Sequence, residues 1–344
     1  MTTMRLALLA GAAGFVALGQ QYRQPPPMQA VPLPGGEISF QRDGKELLRY
    51  RPGGDHRRPF WYPLTGPSGH GLTRMGHPGD PAGHSHHNSL WFSLNKVDGI
   101  DFWGDRGGRI VHARTEHLQD GDAAQAVTLA DWIAPQGAVL LRERRHAVVR
   151  PLGQGEWLLS LELELTAAKD PVTLDAAQFG PIGVRMAKWI GAYHGGGRIL
   201  NSAGATGEPA IFRKPARWVD YSGQPAAGVV EGIALFDHPS NPAHPSPFHV
   251  REDGWMGAML SLERASRIEA GNPMRLRYGL WIHSGAPAAA SIESMWKRYA
   301  ALPLRPPVGP PESPRDCLHG SHKNFTNPRE FRSAADCTAF VNGK

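Results

Sequence analysis

Cysteine is almost missing from this chain: Cys317 and Cys337 are the only two, and both lie close to the C-terminal end. That scarcity excludes a disulfide-built scaffold and leaves the main body without a catalytic thiol. An isolated pair of this kind in an exported chain reads as one local disulfide. Long apolar runs are scarce as well. The single example is N-terminal, in MTTMRLALLAGAAGFVALGQQ, with a basic residue at Arg5, an apolar stretch from Leu6 to Leu18 and small residues at Ala17 and Gly19. This is the anatomy of a secretory signal with cleavage expected after Gly19, so the mature protein is expected to be secreted or periplasmic and to lack a membrane span.

Several mechanistic signatures are also missing. There is no GxSxG elbow, no P-loop, no dinucleotide GxGxxG between strand and helix, no HExxH and no CxxC. The formal charge of +6 is spread among acids, as in LLRERRHAVVR, rather than gathered in a tract, so a nucleic-acid partner is not expected. A mild positive field suits an anionic small molecule or an acidic glycan equally well.

What is present points to strands. Hydrophobic residues make up 41% of the 344 residues, enough for a large core, while 41 glycines and 31 prolines supply frequent turns. In WLLSLELELTA, Leu159, Leu161, Leu163 and Leu165 alternate with Ser160, Glu162 and Glu164, the period of a strand with one buried face. Similar segments recur across the body, so the fold class is all-β, a large antiparallel β-sandwich with a C-terminal helix. The helix is predicted in SIESMWKRYAAL, where Ile292, Met295, Trp296 and Tyr299 share one face and Glu293 can pair with Lys297 on the other. The expected organisation is a signal over 1–19, a Pro-rich linker over 20–36, the sandwich over 37–302, a second Pro-rich linker over 303–314 and a Cys-containing tail over 315–344.

Three histidines, His84, His86 and His87, occupy four positions immediately before the aromatic run SLWFSLNKVDGIDFW, which closes on Trp103. In an extended chain His84 and His86 would share one face and His87 the other. Such a cluster can bind a transition metal with a third ligand such as His238 or His283, carry acid–base or substrate-binding work, or serve as hydrogen-bonded structure. A second group lies in FDHPSNPAHPSPFHV, where a loop stiffened by four prolines supplies Asp237, His238, Asn241, His244 and His249. Glu143 stands on a predicted strand, and Arg185 sits among apolar neighbours where it requires a partner, Glu143 being one choice. Trp218 and Tyr221, in RWVDYSG, are aromatic candidates for stacking on a sugar ring.

These motifs, together with GVRMAKWIG and YGLWIHSG, make the chain resemble the family labelled PmoA-like, from about Glu37 to the helix before Leu302. The label comes from a methane oxygenase subunit, a polytopic membrane protein whose spans this chain lacks. The resemblance implies an exported, β-rich bacterial protein similar to carbohydrate-active supersandwiches of the galactose-mutarotase type. Carried onto this sequence, it implies a site made of His84, His86, His87, Glu143, Arg185, Asp237 and His238. Trp218 and Tyr221 would be its substrate contacts, and Asn241 and Trp103 are further candidates for substrate binding. The function expected is a hydrolase, lyase or epimerase acting on a glycoside or glycan. A non-catalytic carbohydrate-binding or envelope protein and a His-ligated metalloprotein are the alternatives.

Overall fold

The computed structural model describes residues 26–80, 84–303, 310–318, 321–325 and 331–343. The expected signal peptide and half of the second linker, 304–309, lie outside the described residues. Two eight-stranded sheets dominate. The first runs, in spatial order, Met28–Pro32, Ile38–Arg42, Lys45–Arg51, Phe60–Leu64, Leu90–Phe92, Ile182–Arg185, Trp255–Ala258 and Phe248–Arg251. The second runs Arg198–Asn201, Trp218–Ala226, Val229–Asp237, Met274–Ser284, Trp157–Ala167, Val139–Pro151, Ala124–Ile133 and Arg109–Gln119. The pairings within both are antiparallel, and the main core takes apolar side chains from each, such as Phe40 and Leu90 from one and Leu161 and Leu280 from the other. The all-β sandwich expected from the sequence is the fold. A small four-stranded sheet, Ser266–Ile268, Val172–Leu174, Lys96–Val97 and Ile100–Asp101, lies beside them.

The alternating strand shows how burial follows pattern and where it departs from it. Leu159, Leu161, Leu163 and Leu165 are fully or almost fully buried, and Glu162 and Glu164 are half-buried on the opposite face. Leu158 and Ser160 on that opposite face are buried too. The helix Ala289–Ala300 lies over this end of the sheet: Ile292, Trp296 and Tyr299 pack with Leu158, Trp218, Phe236 and Trp281 in a second apolar cluster. Glu293 does not rely on Lys297 for its hydrogen bonds. Its carboxylate takes the Trp218 indole N–H at 2.8 Å and Arg217 at 3.1 Å, which fastens the helix to the sheet.

The folded body starts earlier than expected. Met28–Pro32, within the predicted linker, is an edge strand paired with Ile38–Arg42, because Met28 and Ala30 alternate into the core and an edge position tolerates proline. At the other end, Cys317 and Cys337 form the expected disulfide, surrounded by Phe325 and Phe331. Phe325 also meets His117 of the second sheet edge-on at 5.2 Å.

Candidate functional site

The three histidines sit on a turn, not on a strand. The His87 N–H donates to the His84 carbonyl at 3.1 Å, and Ser89, at φ 55°, redirects the chain into Leu90–Phe92. The turn changes which imidazoles meet. His84 and His87 stack at 4.8 Å with planes 23° apart, and His86 approaches the His87 ring edge-on at 4.5 Å. The column continues from His87 onto Trp91 at 5.0 Å and Trp255 at 4.9 Å. In front of it opens a cavity of about 240 Å³ whose walls include His84, His86, His87, Asp101, Trp103 and Trp255.

Two buried arginines hold this wall in place. Arg58, 2% exposed, donates to the carbonyls of Trp103, of Gly104 at 2.7 Å and of His86 at 3.2 Å, tying the turn after Asp101 to the histidine turn. Burial pulls its guanidinium down to about 10, with Asp105 and Asp101 acting in the opposite sense, so it stays a cation at neutral pH. Asp101 shapes the same turn through Oδ1, which accepts from the N–H groups of Trp103 at 2.8 Å and Gly104 at 3.0 Å. Arg185 forms a bidentate pair with Asp253, at 2.9 and 3.0 Å, and Asp253 Oδ2 also meets His84 Nδ1 at 3.0 Å. Burial opposes ionisation of Asp253, but the hydrogen bonds from His84 and Arg185 outweigh it and hold this carboxyl well below the usual range. An ionised carboxylate can only accept, so Nδ1 of His84 carries the proton and Nε2 offers its lone pair.

The imidazoles of His86, His87 and His249 are held neutral. Burial, reinforced by Arg58, brings His86 down to about 4; burial and then its two neighbours push His87 much further. His249, whose ring lies 3.7 Å from that of Trp255, is brought to about 3 by burial and then Arg251. Around this one aromatic cluster, five buried polar atoms have no partner among the described residues: His86 Nε2, His87 Nδ1, Trp91 Nε1, His249 Nε2 and Trp255 Nε1. Buried polar groups are ordinarily hydrogen-bonded, and each one left open costs about 1–3 kcal/mol. Of the five residues, His86, His87 and Trp255 also line the cavity, while Trp91 and His249 lie behind its wall.

Of the residues singled out in the sequence, the structure brings together His84, His86, His87 and Trp103, with Arg185 behind them. Arg185 does not pair with Glu143, and both its terminal nitrogens are committed to Asp253, so it positions a carboxylate instead of facing substrate. Glu143 lies in the second sheet, paired with Arg145 at 2.5 Å and with the Trp132 indole at 2.9 Å. Asp237, His238 and Asn241 form a separate structural knot. Asp237 accepts from Asn241 at 2.7 Å and the Ser246 N–H at 2.8 Å and meets His244 at 2.9 Å. Asn241 bridges to the backbone of Arg277, and His238 lies between Arg277 at 3.0 Å and the Ala300 carbonyl at 3.2 Å. Trp218 is buried under the helix and bound to Glu293. Tyr221, 0% exposed, cannot stack on a ligand; its hydroxyl accepts from the Ala192 N–H and donates to the Glu252 carbonyl at 3.0 Å, which steadies the turn carrying Asp253.

The metal arrangement fares no better. His238 belongs to the knot and His283 to a buried pair with Asp220 at 2.8 Å, and among the described residues no three His, Cys, Asp or Glu side chains gather around a common point. Sequence reasoning missed Asp253, Arg58, Asp101 and Trp255. Asp101 stands in the aromatic run that follows the histidines, but nothing local links Asp253 to a histidine 169 residues away.

Comparison with known proteins adds family membership. The family DUF6807, of unknown function, matches residues 37–297. No curated protein matches the chain. Among solved structures, a putative kojibiose phosphorylase from human microbiome is similar with a TM-score of 0.28 and 8% identity, over 73% of this chain and 28% of that enzyme. No helix among the described residues is long and apolar enough to cross a membrane.

Proposed function

We propose that this chain, which belongs to the DUF6807 family, is an exported carbohydrate-active enzyme whose cavity at His84 accepts one sugar ring of a glycoside or glycan. The observation that carries the reading is the aromatic-walled cavity at His84, where three lining residues, His86, His87 and Trp255, each keep a ring nitrogen without a partner among the described residues. A sugar presents apolar C–H faces and a rim of hydroxyls. Trp103 and Trp255 suit the faces, and the orphaned imidazole and indole nitrogens suit the hydroxyls. A volume of about 240 Å³ is small beside the roughly 300–1,000 Å³ of drug-sized sites, which favours a single ring over a longer segment.

In this reading His84 is the general base. Asp253 keeps its Nδ1 protonated and its ring oriented, and stabilises the imidazolium that forms when Nε2 takes a proton from substrate. Arg185 keeps Asp253 ionised and in place. Asp101, with Oδ1 committed to its own turn, has Oδ2 left to accept from or return a proton to the ligand. Proton transfer of this kind serves hydrolysis, elimination and epimerisation alike. The N-terminal signal motif and the Cys317–Cys337 disulfide support an oxidising, exported setting. The PmoA-like resemblance fits the same reading, since its histidine motif forms the cavity wall.

The test is a screen of glycosides and oligosaccharides for binding and for product, on the wild type and on His84→Ala. Turnover in the wild type, lost in His84→Ala with ligand binding retained, supports the enzyme. Saturable binding without product in both would move the assignment to the carbohydrate-binding reading. Absence of binding to every carbohydrate would end it.

A further inference from the structure

A second, larger cavity lies beside the loop 52–58, with a volume of about 530 Å³, and its walls carry Arg57, Arg109, His56, His112 and Asp55. We propose that it binds a sulfate or phosphate group. This inference does not rest on the function proposed above.

The chain builds the cavity deliberately. Gly53, at φ 113°, bends the loop tightly enough that a Cβ there would stand 3.2 Å from the Arg58 carbonyl oxygen. The Ile110 N–H then donates to the Arg57 carbonyl at 2.8 Å, which joins the loop to the strand Arg109–Gln119 and sets Arg57 beside Arg109. Neither guanidinium has a carboxylate partner among the described residues, in a molecule where most other arginines are paired. Arg58, the next residue, is turned inward and spent on backbone carbonyls, so the two neighbouring arginines do different work.

The histidines add oriented donors. Asn88 Oδ1 accepts from the Gly76 N–H at 3.1 Å, which fixes the amide so that Nδ2 donates to His56 Nδ1 at 3.2 Å. His56 must then carry its proton on Nε2, the nitrogen left free. His112 is held at the same wall by its Nδ1 contact with the Tyr50 hydroxyl at 3.0 Å, and its Nε2 has no partner among the described residues. Two guanidiniums and two imidazole nitrogens against the single carboxylate of Asp55 is a donor set for a tetrahedral oxyanion. The cavity is larger than a bare ion requires, so the oxyanion is one carried on a larger molecule, such as a sulfated or phosphorylated sugar.

Calorimetric titration of the full chain with inorganic sulfate, inorganic phosphate and dextran sulfate, with unsulfated dextran and sodium chloride as controls, tests this. The expected result is saturable oxyanion binding that weakens about tenfold or more in Arg57→Ala/Arg109→Ala, since each charge-assisted contact is worth more than a neutral one. It should persist in Arg264→Ala, which removes an exposed arginine elsewhere. Dextran sulfate binding competed by free phosphate identifies a glycan-borne group; binding of the inorganic ions alone identifies a free ion at the same site. The inference is overturned if neither ion binds saturably, or if Arg264→Ala weakens binding as much as the double variant, which would show that net charge and not the cavity is responsible.

Discussion

The histidine cavity and the Asp237 loop are written in the same alphabet, imidazoles with acids and amides, and they come out opposite. In the loop, Asp237 has partners at both carboxylate oxygens, Asn241 closes on the backbone of Arg277, and His238 is held from two sides. Apart from the Ser246 hydroxyl, which has no partner among the described residues, its buried polar groups are used internally, fastening the end of the strand Val229–Asp237 to the strand Met274–Ser284 and to the helix Ala289–Ala300, whose Trp296 donates to the Asp237 carbonyl at 2.9 Å. In the cavity the imidazoles stack on one another and on aromatic rings, and apart from the His84 contact to Asp253 the buried nitrogens His86 Nε2 and His87 Nδ1 have no partner among the described residues. A satisfied cluster stabilises; an unsatisfied one is available to a ligand.

That contrast can be broken by substitution. His84→Ala should reduce turnover by about 10²–10⁴-fold, the usual contribution of a general base, while leaving the denaturant midpoint almost unmoved. Asp237→Ala should do the reverse. Removing a buried carboxylate that holds three partners is expected to cost about 3 kcal/mol or more in chemical unfolding, with the ligand affinity of the surviving folded fraction unchanged. If Asp237→Ala abolished turnover in a fully folded protein, the division between the two regions would fail.

Acid should affect both regions through the same physics. Burial lowers His238 to about 4 in the knot, with Arg277 adding to the shift, and lowers His249 to about 3 beside the cavity. The unfolded chain takes up these protons near pH 6.5 while the folded one does not, so more protons are bound in the unfolded state between that value and about 4. Stability is therefore full above pH 6.5 and falls as the pH drops through this window. Unfolding midpoints measured from pH 7 to 4.5 should show the decline, and His238→Gln and His249→Gln should each flatten it. The smallest effect is expected at Trp218: Trp218→Phe deletes the hydrogen bond to Glu293 and should cost about 1 kcal/mol, with no change in ligand binding, because this indole holds the helix and not a substrate.

The legible parts of this chain are those with a local signature. Leucines spaced by two in Trp157–Ala167 produced a strand with one buried face, and the spacing of Ile292, Trp296 and Tyr299 produced the helix that covers the other face at one end. Prolines misled at the N-terminal side, since Met28–Pro32 is an edge strand whose register comes from pairing with Ile38–Arg42 and not from its own composition. Within the site, the histidine cluster and Trp103 were visible as an unusual density of chemistry beside apolar text. Glu143 and Asp237 have the same residue chemistry and were indistinguishable from site carboxylates until their partners were known.

The sequence by itself determined the sheet-forming periods, the closing helix and the presence of three adjacent imidazoles, because each depends on neighbours within a few residues, and it determined the disulfide because the chain has only two cysteines. Only the tertiary structure decided that Asp253 orients His84, that Arg185 serves Asp253, and that the Asp237 loop spends its polar groups on itself. Hydrogen-bond satisfaction is a property of pairs, and here the members of a pair arrive from strands and turns 68 and 169 residues apart. No local pattern encodes which donor will find an acceptor and which will be left open.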